Sequence, residues 1–282
     1  MPFADTTTLL RSPTVGSLHA LVADHVVQAR IVFPGAGYLE LARAAAVGGS
    51  TAMGAALRGV FFLQPLAVEA AGLHVECSVA DGRFEVRSGE GDVRDSMLDA
   101  TVHCSGTLAP ISDGWPRTEH APLRAHSCAH AAHVGALYDG FDAIGLQYGP
   151  GYRTLVQAWG GTADAASRLQ ARATHEGTQV HPADLDDALC AGALIASGTG
   201  GGETRLPFAV DDARLQGAPG ELWAVRSRGP HTPSHAPRAR LPILTPKPCC
   251  AQLVERQGAD AASVRLGALT LHDLRTTRPV SE

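Results

Sequence analysis

The sequence YLELARAAAV, residues 38–47, consists almost wholly of strong helix formers and is followed by Gly48-Gly49, which ends a helix. Its small alanine side chains suit burial close against another layer of the fold. Beyond it come stretches typical of strands at residues 57–63, 73–79, 83–87 and 96–108. The first part of the chain is therefore predicted to be one buried helix followed by an antiparallel meander.

The same order recurs in the second part of the chain. A short helix is predicted over residues 134–141, and a second Ala-rich helix over residues 182–197, where Pro182 suits the first helical turn. Strands are predicted at residues 154–159, 167–173, 206–210, 221–226, 251–255 and 263–274. Two antiparallel sheets, each wrapped around a central helix, define an α+β architecture.

The boundary between the two halves falls in residues 110–133. This segment holds three prolines and four of the thirteen histidines without sustained periodicity, which is typical of a connection. The prediction is an N-terminal half at residues 1–109, a linker at 110–133 and a C-terminal half at 134–282. Residues 228–248 hold six prolines and are predicted to form an exposed loop.

Composition excludes several classes of protein. Hydrophobic residues at 45% and charged residues at 18% predict a folded chain, and aromatic residues are scarce at 5%. Lys and Arg total 23 against 28 Asp and Glu, so the basic surplus of a nucleic-acid binder is missing. No apolar run suits a membrane span, and no secretory signal is visible. Six cysteines without a C-x-x-C pair favour a reducing compartment, so a cytoplasmic protein is expected.

Four short motifs occur in one order along the chain. His25, followed nine residues later by Pro34, fits H-x-x-x-G-x-x-x-x-P, and residues 181–190, HPADLDDALC, fit H-P-x-x-x-D-x-x-x-Q/H. Residues 148–152, YGPGY, and residues 206–208, LPF, are the other two. Together they span nearly the whole chain, which in this respect resembles the dehydratase domains of polyketide synthases.

The resemblance implies a double hot-dog fold, with one site where the two hot-dog halves meet. It implies elimination of water from a 3-hydroxyacyl thioester to give a 2,3-enoyl thioester. The substrate would be carried on the phosphopantetheine arm of an acyl carrier protein, with no other cofactor and no metal. The expected partners are that carrier protein and neighbouring synthase domains, and a homodimer within the synthase is compatible with the resemblance.

The chemistry of elimination suits a His/Asp pair. A neutral His25 would take the proton next to the thioester carbonyl, because histidine has a pKa of about 6.5. Asp186 would protonate the departing hydroxyl, which requires burial to raise its pKa. Residues 35–37 and Gly149 are candidate backbone donors to the thioester oxygen. The residues expected to contact substrate are Pro34, Gly35, Tyr148, Gly149, Pro150, Tyr152, Cys190 and Phe208.

Some residues depart from the motifs or have a plainer interpretation. Ala29 stands where the first motif has Gly, Cys190 where the second has Gln or His, Leu146 where a Tyr is often found, and Tyr152 where the third has Phe. A thiol is a weak hydrogen-bond donor, so Cys190 alters the usual arrangement. Asp184 and Asp187 fit the acidic first turn of a helix, where carboxylates favour the helix dipole.

Alternatives to a dehydratase therefore stay open. The same pair of residues would serve a double-bond isomerase or a pyran-forming cyclase, and Cys190 also allows a degenerate, non-catalytic structural domain. A hot-dog thioesterase is a further option, but it gives no reason for the full set of motifs. Residues 126–133 offer four ligands suited to zinc, but they fall in the predicted linker and the dehydration needs no metal.

Overall fold

The computed structural model describes residues 8–48, 54–70, 72–91, 97–109, 125, 128–195, 205–216, 221–227, 250–257, 260–264 and 273–275. The predicted loop 228–248 and most of the predicted linker lie outside these residues. The helices are α1 (Ser17–Val22), α2 (Gly35–Val47), α3 (Val134–Ala143) and α4 (Pro182–Cys190), with 3-10 turns at Pro150–Tyr152 and Ala191–Leu194. None of the helices in this part of the chain is long and apolar enough to cross a membrane.

The strands are numbered along the chain. Those of the first half are β1 (Thr8–Pro13), β2 (His25–Val27), β3 (Arg30–Ile31), β4 (Gly54–Phe62), β5 (Leu73–Ala80), β6 (Arg83–Glu90) and β7 (Leu98–Ala109). Those that follow are β8 (His130–Ala132), β9 (Leu146–Tyr148), β10 (Leu155–Gly160), β11 (Asp164–Leu169), β12 (Arg205–Pro207), β13 (Ala209–Gln216), β14 (Glu221–Ser227), β15 (Cys250–Gln257), β16 (Asp260–Val264) and β17 (Asp273–Arg275).

Two six-stranded antiparallel sheets form the body of the fold. The first has the order β1-β5-β6-β7-β4-β13 and the second β16-β15-β14-β11-β10-β8. Each sheet packs against one helix, α2 on the first and α4 on the second, which confirms the predicted α+β architecture. Two pairings differ from a plain meander. Strand β13, from the second half of the chain, pairs with β4, and β8, within the segment predicted as a linker, pairs with β10.

Helix α2 packs closely against the first sheet because its side chains are small. Ala36, Ala42 and Ala45 are almost fully buried, in one apolar core with Leu57 and Val75 of the sheet. Small residues let a helix approach the strands closely, as the Ala-rich sequence predicts.

Helix α2 begins three residues earlier than the predicted start at Tyr38. Pro34 is its N-cap in an extended conformation, with φ −72° and ψ 150°. Gly35 and Gly37 lie in the helix despite the poor helix propensity of glycine. Neighbouring side chains approach both positions so closely that a larger residue would collide with them. A Cβ on Gly37 would lie 2.8 Å from the ring of Phe33, so this contact accounts for the glycine.

Helix α4 ends at Cys190, earlier than the predicted end at residue 197. The chain tightens into a 3-10 turn, and Ile195 is already extended with ψ 123°. Close packing accounts for the glycine in this turn, because a Cβ on Gly192 would lie 2.4 Å from Nε of Arg226. The strands predicted at 167–173 and 206–210 are also shifted: the first is β11, and the second is divided at Phe208 into β12 and β13.

Candidate active site

Strands β2 and β9 join the two halves of the chain at the site. They form a small antiparallel sheet with β3, in which His25 lies opposite Tyr148 and Val27 opposite Leu146. The first motif and the Tyr-Gly-Pro motif are therefore hydrogen-bonded neighbours. Strand pairing alone brings His25 beside the aromatic residues of the second half.

Asp24 fixes the loop that follows β9. Its main-chain oxygen accepts a hydrogen bond from the N–H of Gly149 at 2.8 Å, and its Oδ2 accepts one from the N–H of Gly151 at 2.6 Å. A Cβ on Gly149 would lie 2.2 Å from Oδ1 of Asp24, a distance that atoms do not tolerate. Glycine at this position therefore lets the loop approach the residue preceding His25 without displacing the Asp24 side chain.

His25 is buried and held in one tautomer. Its Nδ1 lies 2.6 Å from the main-chain oxygen of Val32, and because a carbonyl only accepts, Nδ1 carries the proton. Nε2 is thereby left to face Asp186, whose Oδ2 is 3.8 Å away. The rings of Tyr148 and Tyr152 flank the imidazole, with centroids 5.6 and 5.3 Å from its own.

Asp186 projects from α4 toward His25. Burial raises its pKa from the ordinary value of a carboxyl, while His25 and a hydrogen bond from Tyr148 oppose the rise. Its Oδ2 is buried and has no hydrogen-bond partner within the described residues. A carboxyl in this setting can carry a proton near neutral pH and has an oxygen free to meet a bound molecule.

Asp184 lies in the first turn of α4, as predicted, but both Asp184 and Asp187 are buried and bound by side chains of other elements. Both are about 1% exposed. Nε of Arg172 donates to both oxygens of Asp184 at 2.8 Å. Tyr138 and Thr154 donate to Asp187, whose pKa burial raises to about 7. Side chains from other elements therefore hold these two carboxyls in addition to their place near the helix start.

His181 has a role that the motif alone did not reveal. It is the N-cap of α4, and its Nδ1 accepts a hydrogen bond from the N–H of Ala183 at 3.2 Å. Burial and the neighbouring Arg172 lower its pKa to about 3, so the imidazole is neutral and can accept at Nδ1. A His-Pro pair before a helix is a recognisable start signal, because one residue caps and the next fills the first turn.

Cys190 lies one helical turn after Asp186. Its Sγ is 3.3 Å from the hydroxyl of Tyr148, and burial together with Asp186 raises its pKa, so the side chain is a thiol rather than a thiolate. The hydroxyl of Tyr152 is buried with no hydrogen-bond partner among the described residues. Tyr148, Tyr152 and Cys190 thus share the site with the His25/Asp186 pair.

The Leu-Pro-Phe motif meets the start of α2. A Cβ on Gly35 would lie 2.9 Å from Cγ of Pro207, so the glycine permits this contact. The main-chain oxygen of Phe208 accepts from the N–H of Phe62 at 2.8 Å, and its ring lies 6.3 Å from that of Phe61. Phe208 therefore continues the first sheet, while Pro207 covers the helix start.

The candidate backbone donors are not equivalent. The N–H of Gly149 is engaged by Asp24, and the N–H of Gly37 donates to the main-chain oxygen of Pro34 at 2.9 Å. Gly35 and Ala36, which follow Pro34 in the first turn of α2, are left as the candidates at this helix start.

Ala29 adopts the strained conformation that glycine would relieve. The turn between β2 and β3 places Gln28 at φ 49° and Ala29 at φ 62°, both in the left-handed region. The N–H of Ala29 also donates to Oε1 of Gln147 at 2.7 Å, which ties the turn to β9. An alanine in this conformation costs about 1 kcal/mol relative to glycine.

Ala29→Gly is accordingly expected to stabilise the protein by about 0.5–1 kcal/mol, because the gain at positive φ exceeds the added freedom of the unfolded chain. Chemical denaturation measures the change in the free energy of unfolding. Ala20→Gly, on the exposed face of α1, is the matched control and is expected to destabilise. If Ala29→Gly lost as much stability as Ala20→Gly, the backbone at Ala29 would not be strained.

Two other features lie apart from the pair. Within the described ranges, no group of three His, Cys, Asp or Glu side chains is arranged to hold a metal, and His126 and Ser127 fall outside them. A cavity of about 220 Å³ lies between β1, α1, α2 and the loop before α4. Leu18, Phe33 and Leu41 are among its mainly apolar lining residues, which do not include His25 or Asp186.

Comparison with protein families gives two matches. Residues 2–90 match the family described as polyketide synthase dehydratase domain, and residues 116–241 match the polyketide synthase dehydratase N-terminal domain. The chain is 31% identical over 234 residues to erythronolide synthase EryA2 of Saccharopolyspora erythraea, covering 80% of this chain and 6% of that protein. It is 28% identical over 216 residues to polyketide synthase PksN of Bacillus subtilis, covering 72% of this chain and 4% of that one. The chain therefore spans only a small part of these relatives.

Solved structures agree in fold. The dehydratase domain from the CurF module of curacin polyketide synthase superposes with a TM-score of 0.76 at 20% identity, over 97% of this chain and 95% of that one. The dehydratase domain of RzxB from Pseudomonas fluorescens gives 0.66 at 23% identity, over 94% of both chains. These similarities confirm the double hot-dog arrangement that the motifs predict.

Proposed function

Because the chain belongs to the polyketide synthase dehydratase family, we propose that it eliminates water from a 3-hydroxyacyl thioester to give a 2,3-enoyl thioester. The substrate is carried on the phosphopantetheine arm of an acyl carrier protein, and the reaction needs no other cofactor. Neighbouring synthase domains and the carrier protein are the partners. The observation that carries the proposal is the buried approach of Nε2 of His25 to Oδ2 of Asp186 at 3.8 Å.

His25 is the base in this proposal. The hydrogen bond from Nδ1 to Val32 leaves the lone pair on Nε2, where it accepts the proton from the carbon next to the thioester carbonyl. The electrons of that C–H bond form the new double bond as the bond from the β-carbon to the hydroxyl oxygen breaks. The imidazolium of His25 forms opposite Asp186. The negative charge that develops on Asp186 stabilises this imidazolium.

Asp186 is the acid. It gives its proton to the departing hydroxyl, so one water leaves for each enoyl thioester formed, and it becomes a carboxylate. Its raised pKa keeps the proton available, and the unpartnered Oδ2 is suited to bind the substrate hydroxyl. The proton gained by His25 then returns to Asp186 across the short gap, which restores both groups for the next turnover.

The remaining residues position the substrate. The rings of Tyr148 and Tyr152 flank His25, and their hydroxyls offer polar contacts to the substrate, while Cys190 replaces a stronger donor with a thiol. The N–H groups of Gly35 and Ala36 are suited to the thioester oxygen, because negative charge gathers there in the transition state. Pro34, Pro150 and Phe208 shape the walls of the site.

The test is the identity of the product made by the chain from a 3-hydroxyacyl pantetheine thioester. Mass spectrometry is expected to show loss of one water, and ultraviolet absorbance to show a conjugated enoyl thioester. Conversion without a change of mass, from an enoyl or hydroxyenoyl thioester alone, would instead identify an isomerase or a pyran-forming cyclase. Absence of any conversion by folded protein would contradict the proposal and favour a structural domain.

A further inference from the structure

Asp187 is a second buried carboxyl directly beside the proposed acid. Its Oδ2 accepts three hydrogen bonds, from the hydroxyl of Tyr138 at 2.9 Å and from the N–H and Oγ1 of Thr154, each at 2.6 Å. The Tyr138 oxygen itself accepts from the N–H of Leu155 at 3.1 Å, so its proton is directed to Asp187. These three donors favour the carboxylate form of Asp187 and oppose the rise in its pKa that burial causes.

Fewer donors act on Asp186, for which Tyr148 is the hydrogen-bond donor. Each of the two carboxyls also has one buried oxygen without a hydrogen-bond partner among the described residues, Oδ2 of Asp186 and Oδ1 of Asp187. The charges of these two buried carboxyls repel each other, so ionisation of one raises the pKa of the other. The carboxyl with fewer donors, which is Asp186, is therefore the one that keeps its proton.

Titratable and charged groups from each element packed around Asp186 and Asp187 affect the protonation of these two carboxyls. Those facing the two carboxyls are His25 on β2, Tyr148 on β9, Tyr152 in the 3-10 turn, Tyr138 on α3, and Thr154 and Cys190 beside them. Two cations lie further out. Arg153 covers the ring of Tyr138 and donates to the main-chain oxygen of Tyr148. The positive charge of Arg226 lowers the pKa of Cys190, against the larger effect of burial. His25 is thus the group that most directly opposes proton retention on Asp186.

We propose that Asp187 is a positioning residue for the reaction: held as a carboxylate by Tyr138 and Thr154, it keeps the neighbouring Asp186 protonated. This inference rests on the proposed role of Asp186 as the acid. A residue that only tied α4 to α3 and β10 would affect stability and leave the pH dependence of turnover unchanged.

The sign of the effect follows from charge. The negative charge on Asp187 raises the pKa of Asp186, so its removal lets Asp186 lose its proton at lower pH. Since burial raises the pKa of Asp187 itself to about 7, that charge is present above this pH and fades below it. A variant that lacks the charge of Asp187 is therefore expected to match the wild-type dependence of kcat on pH below about pH 7 and to differ from it above.

The experiment is the pH–rate profile of Asp187→Asn, a variant that keeps the shape and accepting oxygen of the side chain. We expect the alkaline limb of kcat to move to lower pH by about one unit, with coincident profiles near pH 6. Asp142→Asn, which removes an exposed charge from α3, is the matched control and is expected to leave the limb in place. An unmoved limb in folded Asp187→Asn, or an equal shift in the control, would overturn the proposal.

Should Asp187→Asn not fold, Thr154 offers the same test. Thr154→Val removes the hydroxyl donor to Asp187, so the carboxylate of Asp187 becomes less stable and Asp187 keeps its proton to higher pH. The alkaline limb of kcat is then expected to move to lower pH, by less than in Asp187→Asn. Thr154→Ser retains the hydroxyl and is expected to restore the wild-type profile. Equal profiles for Val and Ser at position 154 would overturn the proposal.

Failure of this inference is distinguishable from failure of the proposed function. The carboxyl carbons of Asp186 and Asp187, labelled with carbon-13, report their protonation by NMR without any turnover. We expect Asp186 to titrate at higher pH than Asp187 in the wild-type chain, and at lower pH in Asp187→Asn than in the wild type. The reverse order in the wild type would overturn the inference whether or not the chain dehydrates its substrate.

Discussion

Asp186→Asn is expected to lower the rate of water loss about 10³-fold while changing KM little. The amide matches the carboxyl in shape and still lies opposite His25, but it cannot give a proton to a departing hydroxyl. Loss of a positioned acid costs roughly 10²–10⁴-fold in rate. The measurement is kcat and KM with a 3-hydroxyacyl pantetheine thioester, followed by absorbance of the enoyl product.

Stability separates this loss from misfolding. Burial raises the pKa of Asp186 in the folded chain, so ionisation of that carboxyl favours unfolding as the pH rises above the ordinary range of an aspartate. Asp186→Asn lacks this charge and is expected to unfold at a Tm equal to or above that of the wild type at pH 8. Asp139→Asn, the same change at an exposed site on α3, is the control with unchanged kcat. Asp186→Asn that retains more than a tenth of wild-type kcat would contradict the assignment of the acid.

Gly149→Ala is expected to destabilise the chain by about 3 kcal/mol and to lower kcat about 10²-fold. The added Cβ would lie 2.2 Å from Oδ1 of Asp24 and 2.5 Å from its Cγ, so Asp24 must move. Because His25 follows directly and pairs with Tyr148, the displacement reaches the base. Chemical denaturation and turnover measure the two effects.

Two variants control this prediction. Gly140→Ala adds the same methyl group within α3, where nothing lies within 4 Å of the new Cβ, and is expected to stabilise slightly. Asp24→Ala in the Gly149→Ala background removes the two nearest atoms and is expected to restore part of the stability. Wild-type stability of Gly149→Ala alone would show that the approach of Asp24 does not constrain the loop.

The features that local sequence pattern and motifs predict together are found in the structure. The Ala-rich composition of residues 38–47 predicts a buried helix, and α2 is that helix. The strands of the first meander were located to within three residues at each end because alternation, turns and prolines delimit them. His25 and Asp186 were singled out by motif spacing, and their roles as base and acid stay a prediction until the variants are measured.

The remaining features depend on contacts between distant parts of the chain. The pairing of β13 with β4 joins segments that no local pattern connects, and the pairing of His25 with Tyr148 depends on three-residue strands too short to show a period. The burial of Asp184 and Asp187 is not predictable from their place near the start of α4, because the sequence does not show that Arg172, Tyr138 and Thr154 reach them. A signal was nonetheless present, since three acids within four residues of an otherwise apolar helix seldom stay buried without partners.

In the proposed reaction His25 takes the proton and Asp186 gives one within a single buried site. Turnover of the 3-hydroxyacyl thioester by His25→Ala tests these two roles, with His130→Ala at the exposed edge of the second sheet as the control. His25→Ala is expected to lose about 10³-fold or more in kcat, while His130→Ala keeps the wild-type rate. Undiminished turnover by His25→Ala would show that His25 is not the base.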